Sequence, residues 1–218
     1  STQISRLTTS QVAALSNAQV KALTVEQITN LTDEQIKGME TADIAALTTA
    51  QVNALGTDQV QSLSASTIKA LTTGQVAALS TAQVAALTTG QVKDLASTTV
   101  AALSSTQVNA LGTAQVAALS KSVIAALTTG QVAGMTTTVL KALTTDSVAA
   151  LTNDQVKALT TASVAAMTTD QVKALESADI AVLSSAQVGA LTTTQVGVLT
   201  ATQVKSLSTG ALAGLTTG

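Results

Sequence analysis

Thr72-Thr73-Gly74-Gln75-Val76-Ala77-Ala78-Leu79-Ser80-Thr81-Ala82-Gln83-Val84-Ala85-Ala86-Leu87 is one eight-residue phrase, Gln-Val-x-Ala-Leu-Thr-x-x, met repeatedly. Counted outward in eights, the phrase runs from Gln3 to Gly218 as 27 consecutive octads with no insertion or deletion. An array without phase slips is one supersecondary unit used many times, each copy contacting mainly its neighbours, so the object is quasi-one-dimensional. The expectation is a single continuous array over residues 1–218, a scaffold or filament rather than an enzyme.

Slot two of the octad is Val, Ile or Leu in every copy, from Ile4 and Val12 to Leu212, and slot five is Leu except at Met39, Met135 and Met167. These two slots are read as the core. Slot four is mostly Ala, as at Ala14 and Ala46, with departures such as Gly38, Ser62 and Val182, which implies a close approach there. Slot six is Thr or Ser in 22 copies and slot one is Gln in 18, so both carry a specific requirement. Slots three, seven and eight vary and hold nearly all the lysines, so they face water.

A continuous helix advances about 100° per residue, so eight residues overshoot two turns by about 80° and the apolar stripe would circle the helix within about 36 residues. No single neighbour could cover it. The chain therefore has reason to break its helix once per octad, and Thr or Ser followed three residues later by Gln, as in Thr72 to Gln75, supplies the break as a capping box. Val at slot two and Leu at slot five then share one side of a helix of about one and a half turns. The predicted fold is all-α, a solenoid of short helices with one per octad. A β-solenoid is the alternative, since Thr and Val favour strands, although strict alternation fails at slots four and five. Long helices in a bundle are the third arrangement.

A longer echo overlies the octad. Gln51-Val-Asn-Ala-Leu-Gly-Thr recurs at Gln107 and Thr72-Thr-Gly-Gln-Val at Thr128, both displaced by 56 residues or seven octads. Segmental duplication explains this, and so does a whole number of superhelical turns in seven octads.

Ten basic and twelve acidic residues are scattered along the chain, with pI near 4.9 and formal charge −2, so no positive stripe meets phosphates and nucleic acid is not expected as a partner. Hydroxyl pairs interrupt every apolar run, so no membrane-spanning helix is expected. Cys, His, Trp, Tyr, Phe and Pro are absent. That removes the usual metal ligands, the commonest general base and the aromatic anchors of compact binding sites. The chain begins at Ser1 rather than Met, which fits a processed chain or a segment of something longer, and no signal peptide is visible.

Two octads change their cap in concert. Glu40-Thr-Ala-Asp43 and Glu176-Ser-Ala-Asp179 set two carboxylates three residues apart, a spacing that fits calcium or acid–base work but is better explained as negative charge at a helix N-terminus. Asp33-Glu34 occupies two exposed slots. No catalytic, cofactor-binding or metal residue is therefore assigned, and no cofactor. Lys at slot three, as at Lys21, Lys37 and Lys157, often recurs two octads on; either alternate octads share a face or an exposed slot tolerates Lys anywhere. Thr-Thr-Gly corners lack the spacing of a phosphate-binding loop and are read as flexible corners. The glutamines either ladder between coils or face outward. The internal role is favoured, because the capping box already gives Gln a backbone partner. A regular hydroxyl lattice that binds ice or crystalline polysaccharide is a further reading of the Thr-rich corners.

The tandem run Leu71-Thr-Thr-Gly-Gln-Val-Ala-Ala-Leu-Ser-Thr-Ala-Gln-Val resembles the degenerate Leu-Thr-x-x-Gln-Val-x-Ala-Leu arrays of very large bacterial secreted or surface proteins, adhesin-like or matrix-like. The resemblance spans essentially the whole chain and implies an extracellular or cell-surface setting. The expected function is structural, the shaft or subunit of an extracellular filament, sheath or adhesin stalk. The alternative is a binding module whose repetitive face meets a periodic glycan, ice or mineral. The expected partners are other copies of the chain, end to end or side by side, or further octads of a longer array.

Overall fold

The computed structural model describes residues 3–216 and is helical throughout, with 26 short α-helices, a 3₁₀ turn at each end and no strand among the described residues. Most octads produce a helix by the same steps. Slot six has extended backbone and caps the helix, as Thr72 (φ −69°, ψ 159°) does for Thr73–Ala77. Its hydroxyl accepts the Gln75 N–H at 3.2 Å, and the Gln75 Oε1 accepts the Thr72 N–H at 2.9 Å, the reciprocal capping box. The helix runs from slot seven to slot three or four. Leu at slot five then leaves it with extended backbone, as Leu87 does (φ −55°, ψ 137°), closing the last turn with a 3.3 Å bond from its N–H to the Val84 carbonyl. The β-solenoid is thereby excluded over these residues, and the short-helix solenoid holds.

The corners are not made by glycine. No described residue has positive φ, and Gly74, Gly90 and Gly130 all sit inside the first helical turn, where an added Cβ would meet nothing closer than 3.8 Å. The reading of Thr-Thr-Gly as a flexible corner is corrected: the bend belongs to slots five and six. Gly38 is different, because a Cβ there would run into the Thr9 methyl, so slot four does mark a close approach at that point.

The chain forms two compact units, Ser1–Leu111 and Gly112–Gly218, each built alike. Within a unit, helices pack against those three octads away: Thr9–Ala13 on Asp33–Gly38, that helix on Thr57–Ser62, and in the second unit Thr145–Ala149 on Thr169–Ala174. Side chains reach the same way, as Asn53 Nδ2 donates to the Ala78 carbonyl at 2.7 Å. Alternate octads therefore do not stack, and the recurrence of Lys at slot three reflects a tolerant exposed slot.

The core of each unit is the column of slot-two and slot-five side chains, among them Ile36, Val84, Leu87 and Val108 in the first and Val156, Leu159 and Val172 in the second, all buried. A third column is buried with them. Gln51, Gln75, Gln83, Gln155 and Gln203 at slot one are 2–3% exposed, a polar stripe inside an aliphatic interior.

Far-ultraviolet circular dichroism should give a mainly helical spectrum, and one dominated by strand signal would contradict the fold. Deleting the octad Gln83 to Gly90 keeps every packing offset in step and should preserve one cooperative melt, whereas deleting four residues there should leave a measurable loss of stability. Gly90→Ala relieves a helix-interior glycine without strain, so it should raise stability by about 0.5–1 kcal/mol in denaturant titration.

Candidate functional site: the glutamine ladder

A buried glutamine amide must satisfy both ends, or each unpaired group costs about 1–3 kcal/mol. Here the two ends are used for different purposes. Oε1 faces its own helix and accepts the N-cap N–H, at 2.7 Å from Thr48 to Gln51 and 2.7 Å from Ser80 to Gln83. Nε2 points to the octad four repeats earlier and donates to the carbonyls 31 and 28 residues back. Gln83 reaches Val52 at 2.8 Å and Leu55 at 2.7 Å; Gln91 reaches Val60 at 2.8 Å and Leu63 at 2.7 Å. In the second unit Gln155 reaches Ile124 at 2.8 Å and Leu127 at 2.6 Å, and Gln203 reaches Val172 at 3.0 Å and Leu175 at 2.9 Å.

The leucine carbonyl explains why the amide is needed. At slot two the carbonyl already receives the N–H of slot five, as Val52 does from Leu55 at 3.2 Å. Leu at slot five has left the helix, so its carbonyl faces inward with no backbone donor, one of the orphan acceptors of a helix C-terminus. The glutamine four octads on supplies that donor. With helices packing at three octads and amides bonding at four, one superhelical turn takes between three and four octads, and seven return to a similar face after two turns. The 56-residue echo thus coincides with the geometry of the coil, as between Gln51 and Gln107 in the first unit.

No buried side-chain nitrogen or oxygen among the described residues lacks a partner, so the ladder and the caps use the polar groups the interior contains. The sequence foresaw the capping half and favoured an internal ladder, but it did not place slot one in the core. One signal was available. Glu caps as well as Gln does, yet slot one holds Gln in 18 copies and Glu in none, which marks a requirement for a donor that a cap alone does not impose.

The two carboxylates of each pair differ in burial. Glu40 and Glu176 are exposed N-caps, while Asp43 and Asp179 take slot one and are 4% and 3% exposed, each accepting its N-cap N–H, at 3.0 Å from Glu40 and 2.9 Å from Glu176. No group of three or more His, Cys, Asp or Glu that could hold a metal is present among the described residues. Asp33 and Glu34 are exposed in the first turn of their helix. Two open depressions lie on the surface, one of about 510 Å³ lined by Lys21, Ala45, Thr48, Thr72 and Gln75 in the first unit, and one of about 380 Å³ lined by Ser185, Ala186, Gly189, Ala213 and Gly214 in the second. No helix among the described residues is long and apolar enough to cross a membrane.

Short capped helices at fixed offsets, tied by a side-chain ladder, define a helical repeat solenoid. The model of the ALTTAQ repeat matches residues 1–33, 36–73, 66–97, 89–121, 124–161 and 172–209, and the chain belongs to that repeat family. None of the curated proteins compared with the chain matches it.

Gln107 is 6% exposed and donates to the Val76, Ala77 and Leu79 carbonyls at 3.3, 3.2 and 2.6 Å. Gln107→Ala should therefore cost about 3 kcal/mol, about 1 for the cap and about 1 for each of two lateral bonds, comparable to the roughly 2–5 kcal/mol expected of Leu111→Ala. The capping role alone gives about 1 kcal/mol. Gln107→Glu keeps the cap acceptor and removes the donor, so it should destabilise strongly. Gln27→Glu should not, because Gln27 has its cap but no lateral acceptor among the described residues. Equal effects at the two sites in urea titration would remove the ladder as a source of stability.

Proposed function

We propose that the array is a non-catalytic structural element, the shaft or filament subunit of an extracellular or cell-surface assembly. The observation that supports this is the allocation of buried polar groups. The interior amides hold one turn of the coil to the next, and the exposed slots form a repeating surface with no cluster of three or more metal-ligating side chains among the described residues. The low charge and the absence of cysteine are compatible with that setting, and the resemblance to arrays of large bacterial adhesin-like or matrix-like proteins favours it. The same rung that joins turns also provides for extension. The side-chain amides of Gln11 and Gln19 donate to no acceptor among the described residues, and Val204 and Leu212 are 46% and 40% exposed at slot two. Such faces accept further octads of the same kind, of this chain or of another copy, and a heterologous contact of this type propagates as a fibre if it does not close.

A second reading has one observation in its favour: the slot-seven hydroxyls, such as Thr73, Thr81 and Thr89, are exposed at octad spacing and are not used by the caps. It makes the array a binder of a periodic glycan, ice or mineral surface. Electron microscopy and sedimentation of the purified chain at high concentration should show end-to-end filaments, shortened or abolished by fusing a charged capping octad to each end. A monomer at high concentration would sink extension by copies. Saturable binding to a solid periodic surface, lost when slots seven and eight are randomised but kept when apolar slots are conservatively exchanged, would favour the binder.

A further inference from the structure

The two ends of the described array uncover different slots. At the N-terminal end slot two stays buried, with Val12 and Val20 at 0% exposure, while Leu7, Leu15 and Leu23 at slot five are part-exposed and Gln11 and Gln19 at slot one are exposed. At the C-terminal end the order reverses: Gln195 and Gln203 stay buried, whereas Val204 and Leu212 at slot two are uncovered. The polar groups divide in the same way. The Leu7 and Leu23 carbonyls already accept from the Gln35 and Gln51 amides, at 2.6 and 2.7 Å, so the N-terminal face is left with the Nε2 donors of Gln11 and Gln19. Gln195 and Gln203 direct their own donors to the Met167 and Leu175 carbonyls, at 2.7 and 2.9 Å. The C-terminal face is left with the Leu199 and Leu207 carbonyls, which receive no donor among the described residues.

Resting on the reading that the array extends by like octads, we propose that the C-terminal face docks the N-terminal face of a second copy in one register, as though the first octad of that copy followed Gly218. The Gln11 amide of the incoming copy then meets the Val196 and Leu199 carbonyls, and its Gln19 amide those of Val204 and Leu207. Each completes the rung that the interior makes across 31 and 28 residues, as from Gln83 to Val52 and Leu55. The same approach covers Val204, Leu212 and the hollow of about 200 Å³ bounded by Val188, Leu191, Val196 and Leu215. Like faces do not fit. Two N-terminal faces set donors against donors, and two C-terminal faces set acceptors against acceptors. The joint is therefore heterologous rather than two-fold, and each copy that docks presents the same C-terminal face again.

The chain has no cysteine, so single cysteines in the full chain can read the joint. Within the array slot seven lies against slot four 29 residues on: a Cβ built on Gly38 stands 3.5 Å from the Thr9 Cβ, inside the reach of a disulfide. In the proposed register the matching pair across the joint is Ala201 and Ala14 of the incoming copy. Under mild oxidation an equimolar mixture of Ala201→Cys and Ala14→Cys chains should form linked dimers about tenfold faster than either variant alone. It should also outpace Ala14→Cys mixed with Thr193→Cys or Thr209→Cys, which read registers shifted by one octad. Gln11→Glu combined with Gln19→Glu keeps both caps and removes both donors, so it should leave the melting temperature unchanged and weaken association in sedimentation by at least about tenfold. Self-association without the preference for Ala14 with Ala201, or unaffected by the two glutamates, overturns the joint and leaves extension by copies standing. A chain that stays monomeric at high concentration overturns both, and the crosslink decides alone if the glutamate variant does not fold.

Discussion

The donor that glutamine lends to the leucine carbonyl is the constraint on which the rest of the structure turns. A helix of five or six residues is too short to be stable alone, because its nucleus costs nearly as much order as the whole helix contains. It also ends with more unsatisfied carbonyls than it has turns to spare. The octad answers both problems with one side chain. The same amide closes the N-terminus of its own helix and the C-terminus of a helix four octads earlier, so the carbonyl at the end of one helix is satisfied by a side chain only once the turn four octads on is in place. Folding of the array is therefore tied to stacking, as expected where stability resides in interfaces between repeats.

That dual use explains what was legible in the sequence. The cap joins residues three apart, so Thr72 and Gln75 announce it to any reader of the chain. The mismatch between eight and the helical period is equally local, and it argues against a continuous helix. The lateral bond joins Gln83 to Leu55 across 28 residues, and that offset is set by how many octads complete a turn of the coil. No short-range pattern specifies this number. The 56-residue echo between Gln51 and Gln107 carried it in ambiguous form, since duplication yields the same repetition. Glycine misled for a related reason: in Thr72-Thr73-Gly74 it sits beside the corner in sequence, yet the bend is made by extended backbone at slots six and five, as at Thr72 and Leu87, while Gly74 lies in the helix that follows.

Departures at slot one have unequal consequences. Ser147 and Ser163 replace the amide with a hydroxyl that bonds to the cap at 2.9 and 2.8 Å, from Thr144 and Thr160 respectively. They keep a local bond at that end of the helix while giving up the lateral one. Asp43 and Asp179 keep the cap acceptor in the same place but bring buried charge. In an array whose slots two and five are nearly invariant, tolerance of such exchanges at slot one fits rungs that act in parallel. The loss of one is borne by packing at slots two and five and by the rungs on either side.

The functional reading rests on this distribution of roles. An active site requires polar groups that are held in place yet left unsatisfied by the fold, so that a substrate can satisfy them. In the interior of this chain the fold itself satisfies such groups, through caps within one octad and amides between octads. What remains variable is the outer surface at slots three, seven and eight, where substitution touches neither core nor ladder. Selection can therefore change the surface of such an array at each octad without touching the core or the ladder, which is what the proposed structural role requires.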